Sequence, residues 1–367
     1  MKDQQKRASS KDVAKLAGVS LGSVSRVINK FANVTPEVRE KVERAMAALD
    51  YRLNHVAQTL RSRTSRTVGC MLTDITNPLY ANLFRVFEDK FREAGYLVLL
   101  ANSMNNAAWE MDILEMFRSR GMDGVLLAPS NERNPKVIAA VNQLGIPAVI
   151  VDRDIAVRQD HVQFDHARGI EEAVTALIGL GHRRIAIVLS AIESRPMRRR
   201  LEGFRAGFAA HGLRPVETLV VRMPSSTGNA FERIEAMLAA QRPPTAILSL
   251  GTNVLGDVLN AIAARGLRVP HDVSVVSMGD PEFARSHVPA IATVSVDIDF
   301  AAAESARLLL ERMQGSADGK PRRVLIPTRF VSRDSCAAAA EALSTAAGKA
   351  SRKSLVANAS RKASRAS

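Results

Sequence analysis

The stretch LAGVSLGSVSRVIN, residues 16–29, decides how the chain is to be read. Gly18-Val19-Ser20-Leu21-Gly22 fits the G-x-S-x-G pattern of a hydrolase nucleophile elbow, which needs a strand before its serine. What precedes it is SSKDVAKLA, in which Val13, Leu16 and Ala17 recur at helical spacing. Ser10 is the expected N-cap of this helix, with Asp12 in its first turn to suit the helix dipole. Gly18 then ends the helix and Ser20 caps the next. The context is helix–turn–helix, and the hydrolase pattern is a chance match. In the second helix Val24, Val27 and Ile28 share a face, while Gly22, Ser25, Arg26 and Asn29 point the other way. That outer face is small and polar with one arginine, a shape able to approach base edges in a major groove.

Outward from this stretch, Thr35-Pro36 reads as an N-cap followed by proline at the first helical position. Val38, Val42, Met46 and Leu49 supply the inner stripe of a third helix. NHVAQTLRSRTSR, residues 54–66, carries Val56, Ala57 and Leu60 on one face of a helix too short to be stable alone. It reads either as a plain linker or as a hinge that folds on DNA.

The charge agrees with a polyanion partner. Residues 1–66 hold 14 Lys and Arg against 6 Asp and Glu, a net +8. Residues 341–367 hold 6 against 1, so the 67–340 body is left at +1 of the total +14. A near-neutral body with a basic head is the electrostatic footprint of nucleic-acid binding. The Ala/Ser/Lys/Arg-rich segment 341–367 reads as a disordered basic tail without leucine heptads.

From residue 67 short apolar strands alternate with helical stretches: TVGCML, YLVLLANS, GVLLAP, PAVIVD, RIAIVLS, TAILSL and VSVVSMG. The pattern predicts parallel sheets covered on both faces, and too many strands for one sheet, hence two α/β lobes. Helices are predicted near 80–94, 107–120, 134–144, 167–180, 196–211, 228–240, 252–265 and 298–313. No apolar run approaches the ~18 residues of a membrane span, and the polar first residues suggest no secretory signal. No phosphate loop or dinucleotide fingerprint occurs. The seven histidines form no metal-spaced cluster, and His182 reads as structural. Cys70 and Cys336 read as reduced thiols. No cofactor, metal or enzymatic activity is expected. Asp152-Arg153 stand at a strand's carboxyl end, where open α/β sheets bind ligands, although a surface ion pair would read the same.

DVAKLAGVSLGSVSRVIN, VTPEVREKVERAMAALDYRLNHVAQTLR, DITNPLY, GIPAVIVDRD, GHRRIAIV and RLEGFRAGF closely resemble the lactose/galactose repressor (LacI/GalR) family of bacterial transcription regulators. The resemblance runs the length of the body. It implies an all-α helix-turn-helix head joined to an α/β, two-lobed, periplasmic-binding-protein-like (type I) body with parallel sheets. The implied domains are a DNA-binding head (1–53), a hinge helix and linker (54–66), and an effector-binding and dimerisation body (67–340). The lobes fall near 67–163 with 295–324, and 164–293 with 326–340.

By the same resemblance Leu21, Gly22 and Arg26 read bases, and Ser20, Ser25, Asn29 and Asn54 serve as backbone contacts or caps. Ala57 and Leu60 would enter the minor groove. Asn77, Tyr80, Asp152, Arg153 and Arg200 would line the effector cleft, with Asn253 and Asp280 at its remaining positions. Two departures stand out: Gly251-Thr252-Asn253 and Met278-Gly279-Asp280 replace the family's usual Asn-Asp and Tyr-Asp. Their loss, beside Arg153 and Arg200, favours an acidic small molecule such as a sugar acid over a neutral hexose. The expected protein is a cytoplasmic homodimeric repressor of a catabolic or transport operon, nucleoid-associated when bound to double-stranded operator DNA, with no membrane partner. The alternative on the same body is a transport-type binding protein.

Overall fold

The structure, a computed structural model, describes residues 8–28, 31, 33–51, 64–223 and 230–339, without the side chains of 252 and 253. The expected hinge positions Asn54, Ala57 and Leu60, Asn29, the side chain of Asn253 and the 341–367 tail lie outside the described residues. Contacts divide the chain into two units that meet between Ser65 and Arg66.

The head unit holds three helices: α1 (Ser10–Ala17), α2 (Leu21–Ile28) and α3 (Pro36–Ala48). Ser9, not Ser10, is the cap of α1: it is extended, and Asp12 then falls at the third helical position. Asp12 accepts from the Ser9 backbone N–H at 2.8 Å and its own N–H faces Ser9 Oγ, a reciprocal capping box. Gly18 ends α1 in the left-handed conformation, φ 64°, where a side chain would be strained. Ser20 Oγ accepts from the Ser23 N–H at 3.1 Å and caps α2. Thr35 occupies the N-cap of α3 without a side-chain cap bond, and Pro36 leads the helix. Val13, Val24, Val27, Val42 and Ala45 form the head's core. Leu16 was expected on the inner stripe but is 55% exposed. The buried face of α1 centres on Val13, Ala14 and Ala17, and at 100° per residue Leu16 lies outside that arc.

The body unit is built on two six-stranded sheets. The first comprises β1 (Thr67–Leu72), β2 (Leu97–Asn102), β3 (Gly124–Leu127), β4 (Ala148–Val151), β5 (Asp160–Phe164) and β11 (Arg323–Ile326). Their order is β11-β5-β4-β3-β1-β2, all parallel. The second comprises β6 (Ile185–Ser190), β7 (Val220–Met223), β8 (Ala246–Ser249), β9 (Ser274–Met278), β10 (Ala292–Val296) and β12 (Thr328–Val331). Its order is β12-β10-β9-β8-β6-β7, with only β12 antiparallel.

Around the first sheet pack α4 (Pro78–Glu93), α5 (Ala107–Ser119), α6 (Pro135–Gln143) and α12 (Ile298–Met313). Around the second pack α7 (His166–Gly179), α8 (Arg195–Ala209), α9 (Ala230–Leu238), α10 (Thr252–Ala264) and the short α11 (Glu282–Ser286). Both faces of each sheet are thus covered, which is why the central strands read as continuous apolar runs. Gly69 on β1 lets Phe117 of α5 lie against the sheet, since a Cβ there would stand 2.8 Å from the ring.

The chain passes between the sheets three times, at Asp165, at Asp297 and at Pro327. Two crossings are stitched together: Asp165 N–H donates to Ile326 O at 2.9 Å, and Thr328 Oγ1 donates to Asp165 O at 2.6 Å. The expected lobe limits shift slightly. Phe164 and Ile326 pair with each other in the first sheet, and Ser295 and Val296 pair with β12 in the second, so the lobes change over at 165, 297 and 327.

Candidate functional sites

On the head, Leu21, Gly22 and Arg26 are exposed and Ser25 is half-buried; Gly22, Ser25 and Arg26 face away from the Val24–Val27 core, with Leu21 at its flank in the first turn of α2. Arg26 folds back along the helix, its Nε donating to Gly22 O at 3.4 Å. Gly22 carries no side chain to stand between Arg26 and an approaching duplex. Ser20 Oγ also lies 3.0 Å from Ser23 Oγ. Ser20 sits at a helix start with a helix before it, so it is not a nucleophile on a strand–turn–helix elbow.

In the body, strand order reverses between β1 and β3 in one sheet and between β6 and β8 in the other. Open α/β sheets bind ligands outside the carboxyl ends of strands at such switch points. The loops after these strands line one cavity of about 150 Å³: Thr73, Asp74, Asn77 and Tyr80 after β1, Ser130 after β3, Asp152 and Arg153 after β4. Ser190, Ile192 and Ser194 after β6, Arg200 on α8, and Leu250 and Gly251 after β8 close it from the second lobe.

Five of the seven expected cleft residues therefore meet. Asn77 caps α4, its Oδ1 accepting from the Leu79 N–H at 3.0 Å. Tyr80 Oη accepts from Arg153 Nη2 at 3.0 Å, and Arg153 Nη1 donates to Asp152 O at 2.9 Å. Arg200 Nη1 donates to Leu250 O at 2.9 Å, while its buried Nε has no partner among the described residues. Burial pulls the Arg200 pKa down to about 10, against the attraction of Asp152 and Tyr80 and together with repulsion from Arg153. It stays a cation at neutral pH, and no described carboxylate pairs with it.

Asp152 does something else. It adopts φ 53° and is buried. Its Oδ1 accepts from Arg195 Nη1 at 2.9 Å and from the Phe164 N–H at 3.3 Å, and its Oδ2 meets His166 Nε2 at 2.7 Å. Burial works against this carboxylate, but His166 and Arg195 outweigh it and hold its pKa below the usual range. Burial pushes His166 down, opposed by Asp152 and aided by Arg200 and Arg195, so the pair is carboxylate and neutral imidazole. Asp280 is also displaced from its expected place. It pairs with Arg333 at 2.8 Å and Arg285 at 3.6 Å and lines a separate cavity beside Arg85 and Asp299. The extra glycine at Gly279, φ 81°, ends β9 in a turn that carries the carboxylate there.

Sequence reading missed Arg195, Arg198, His166 and Glu132. Arg198 Nη2 reaches the buried Glu132 at 2.6 Å and Asp154 at 3.4 Å, so α8 ties its lobe to the other with two arginines. A signal existed. RPMRRR puts four arginines at a helix N-terminus, where the dipole disfavours cations. Such a rule broken in sequence requires carboxylates from elsewhere. Among the described residues no group of His, Cys, Asp and Glu could hold a metal ion, and no helix is long and apolar enough to cross a membrane.

A helix-turn-helix head on a two-lobed α/β body with a cleft between lobes defines a class: a regulator that reads DNA, with a periplasmic-binding-protein-like body. Residues 10–54 match bacterial regulatory proteins of the lacI family, and residues 174–336 match a periplasmic binding protein-like domain. The chain is 31% identical over 288 residues to the ribose operon repressor of Escherichia coli (strain K12), covering 78% of this chain and 87% of that one. It is 30% identical over 306 residues to catabolite control protein A of Priestia megaterium, covering 82% and 91%. Among solved structures, the lac repressor dimer bound to operator and an anti-inducer superposes with TM-score 0.78 at 28% identity, over 91% of this chain and 100% of that one. The transcriptional regulator CelR in complex with cellobiose gives TM-score 0.67 at 28% identity, over 90% and 100%. The chain belongs to the lacI family of bacterial regulatory proteins, and it is a DNA-binding transcription regulator, not an enzyme.

Proposed function

We propose that this regulator is a cytoplasmic homodimeric repressor whose grip on a pseudo-palindromic operator is set by a small anionic effector in the interlobe cleft. The observation that carries the effector reading is Arg200: a buried cation facing the cavity with one carbonyl partner and no described carboxylate hydrogen-bonded to it. An anionic ligand supplies the missing charge through paired hydrogen bonds. Relatives support the frame. The lac repressor structure is a dimer on operator, and CelR holds cellobiose.

A two-fold dimer presents two α2 faces one helical turn apart, so the operator mirrors the protein's symmetry. Leu21 and Gly22 neither donate nor accept through side chains, which leaves direct readout to Arg26, bidentate on a guanine edge, with Leu21 on a thymine methyl. Ser20, Ser25, Asn29 and Asn54 hold the backbone. Ala57 and the Leu60 wedge enter the minor groove and favour a deformable central pyrimidine–purine step. Effector binding biases lobe closure, and a coupling of about 1–3 kcal/mol between cleft and DNA is sufficient control.

Selection of bound fragments from genomic DNA, followed by titration of the selected site, tests this. Arg26→Ala is expected to weaken specific binding by roughly tenfold or more, the worth of one bidentate base contact, while leaving binding to random duplex and thermal stability unchanged. Equal affinity of wild type for selected and random DNA would refute the reading.

A further inference from the structure

Resting on the reading that the cleft holds an anion, we propose that its effector is a small carboxylate with an apolar body and one or two hydrogen-bonding substituents, and not a polyhydroxylated sugar or sugar acid. The cavity is two-faced. The apolar part of its second-lobe wall is Ile192, Pro196, Met197, Met223, Leu250 and Val254, with Arg200 as the cation among them and Ser190 and Ser194 beside them. No aromatic ring stands in that wall among the described residues.

The polar side offers less than its residue names suggest, because most of its groups are already engaged. Both oxygens of Asp152 are taken by Arg195 and His166. Asn77 Oδ1 caps α4, and Ser190 Oγ accepts from the Ile192 N–H at 3.1 Å. Tyr80 Oη is held by Arg153. Asp74 Oδ1 accepts from both the N–H and the hydroxyl of Thr76, leaving Oδ2 to accept from a ligand. Thr73, Ser130 and Ser194 add three hydroxyls and Asn105 an amide at the rim of the same cavity.

A sugar acid brings four or more hydroxyls, each with a donor and two acceptor sites to satisfy. Those turned to the methionine wall would lose water and gain no partner among the described residues, a penalty that makes such sites reject them strongly. An apolar body loses nothing there, and the two thioethers adapt to branched or flat shapes. The carboxylate meets Arg200, whose nearest described acceptor is one carbonyl. A hydroxyl on the adjacent carbon would reach Asp74 or Ser130.

Calorimetric titration of the full chain with 3-phenyllactate, 2-hydroxyisocaproate, phenylacetate, D-gluconate and D-ribose separates the outcomes. At least one of the first three is expected to bind about tenfold or more tightly than gluconate, with Arg200→Gln abolishing that heat. Met197 is only half-buried, so Met197→Gln should fold. It is expected to weaken the apolar carboxylate about five- to tenfold, the worth of the apolar area lost, without lowering the unliganded melting temperature. Binding of gluconate alone, or equally well, overturns the inference but keeps the anion reading. Binding of ribose alone overturns both, and no binding by any of the three apolar carboxylates overturns the inference.

Discussion

Asp152 and Arg195 show how one residue's neighbours redefine it. Asp152 follows a strand ending in a binding crevice and reads as a ligand contact, yet Arg195 and His166 from the other lobe and the Phe164 N–H of the neighbouring strand consume it. Removing one side of a buried pair leaves an uncompensated charge, typically about 3–5 kcal/mol. Arg195→Ala is therefore expected to lower stability by about 3 kcal/mol in urea denaturation. Arg199→Ala, whose pair with Glu202 is about half exposed, is expected to change it by less than about 0.5 kcal/mol. Equal effects would deny the latch. Arg200 was legible because a matching motif singled it out from its three neighbours. Arg195 and Arg198 were marked only as cations at a helix N-terminus, and their carboxylates, 43 and 66 residues away, were not legible because no spacing announces them. The missed Ser9 cap differs in kind: Ser9 and Ser10 are chemically equal caps, and only the backbone shows which one is extended.

Elements were more legible than contacts. All eight body helices read from apolar period appear, shifted at most two residues at each end, as caps and frayed turns would allow. Sheet order was not readable, because both central strands and their neighbours are uniformly apolar and any of them could sit beside any other. Packing between α7 and α8 rests on Gly203. A Cβ there would stand 2.1 Å from Ala167 O, a backbone atom that cannot rotate away. Gly203→Ala is expected to destabilise by about 3 kcal/mol, at the upper end of overpacking. Gly256→Ala in α10 meets nothing within 4 Å and should stabilise by about 0.5–1 kcal/mol through helix propensity. Thermal unfolding of both variants beside wild type checks the contrast, and a Gly203→Ala protein as stable as wild type would contradict the close approach.

At the scale of the whole molecule, three histidines couple stability to pH. His161, His166 and His182 are buried, and in each burial is the chief cause of a pKa below the ordinary value. Unfolded, they titrate near 6.5. Between the lowered folded value and about 6.5 the unfolded chain binds more protons, so stability is whole above that range and falls as pH drops through it. The urea midpoint is expected to be lower at pH 5.5 than at pH 7.5, with His182→Gln reducing the difference. A midpoint indifferent to pH would mean these rings are not neutral in the fold. The seam between the lobes sets a further constraint. Ile326 closes a strand of one sheet and Thr328 opens a strand of the other, with Pro327 alone between them. One residue leaves no slack, so the halves cannot drift apart or slide. A swivel, like the covers of a book about its spine, is the motion such a seam permits, and a molecule settling between the pages would set how far it stays shut.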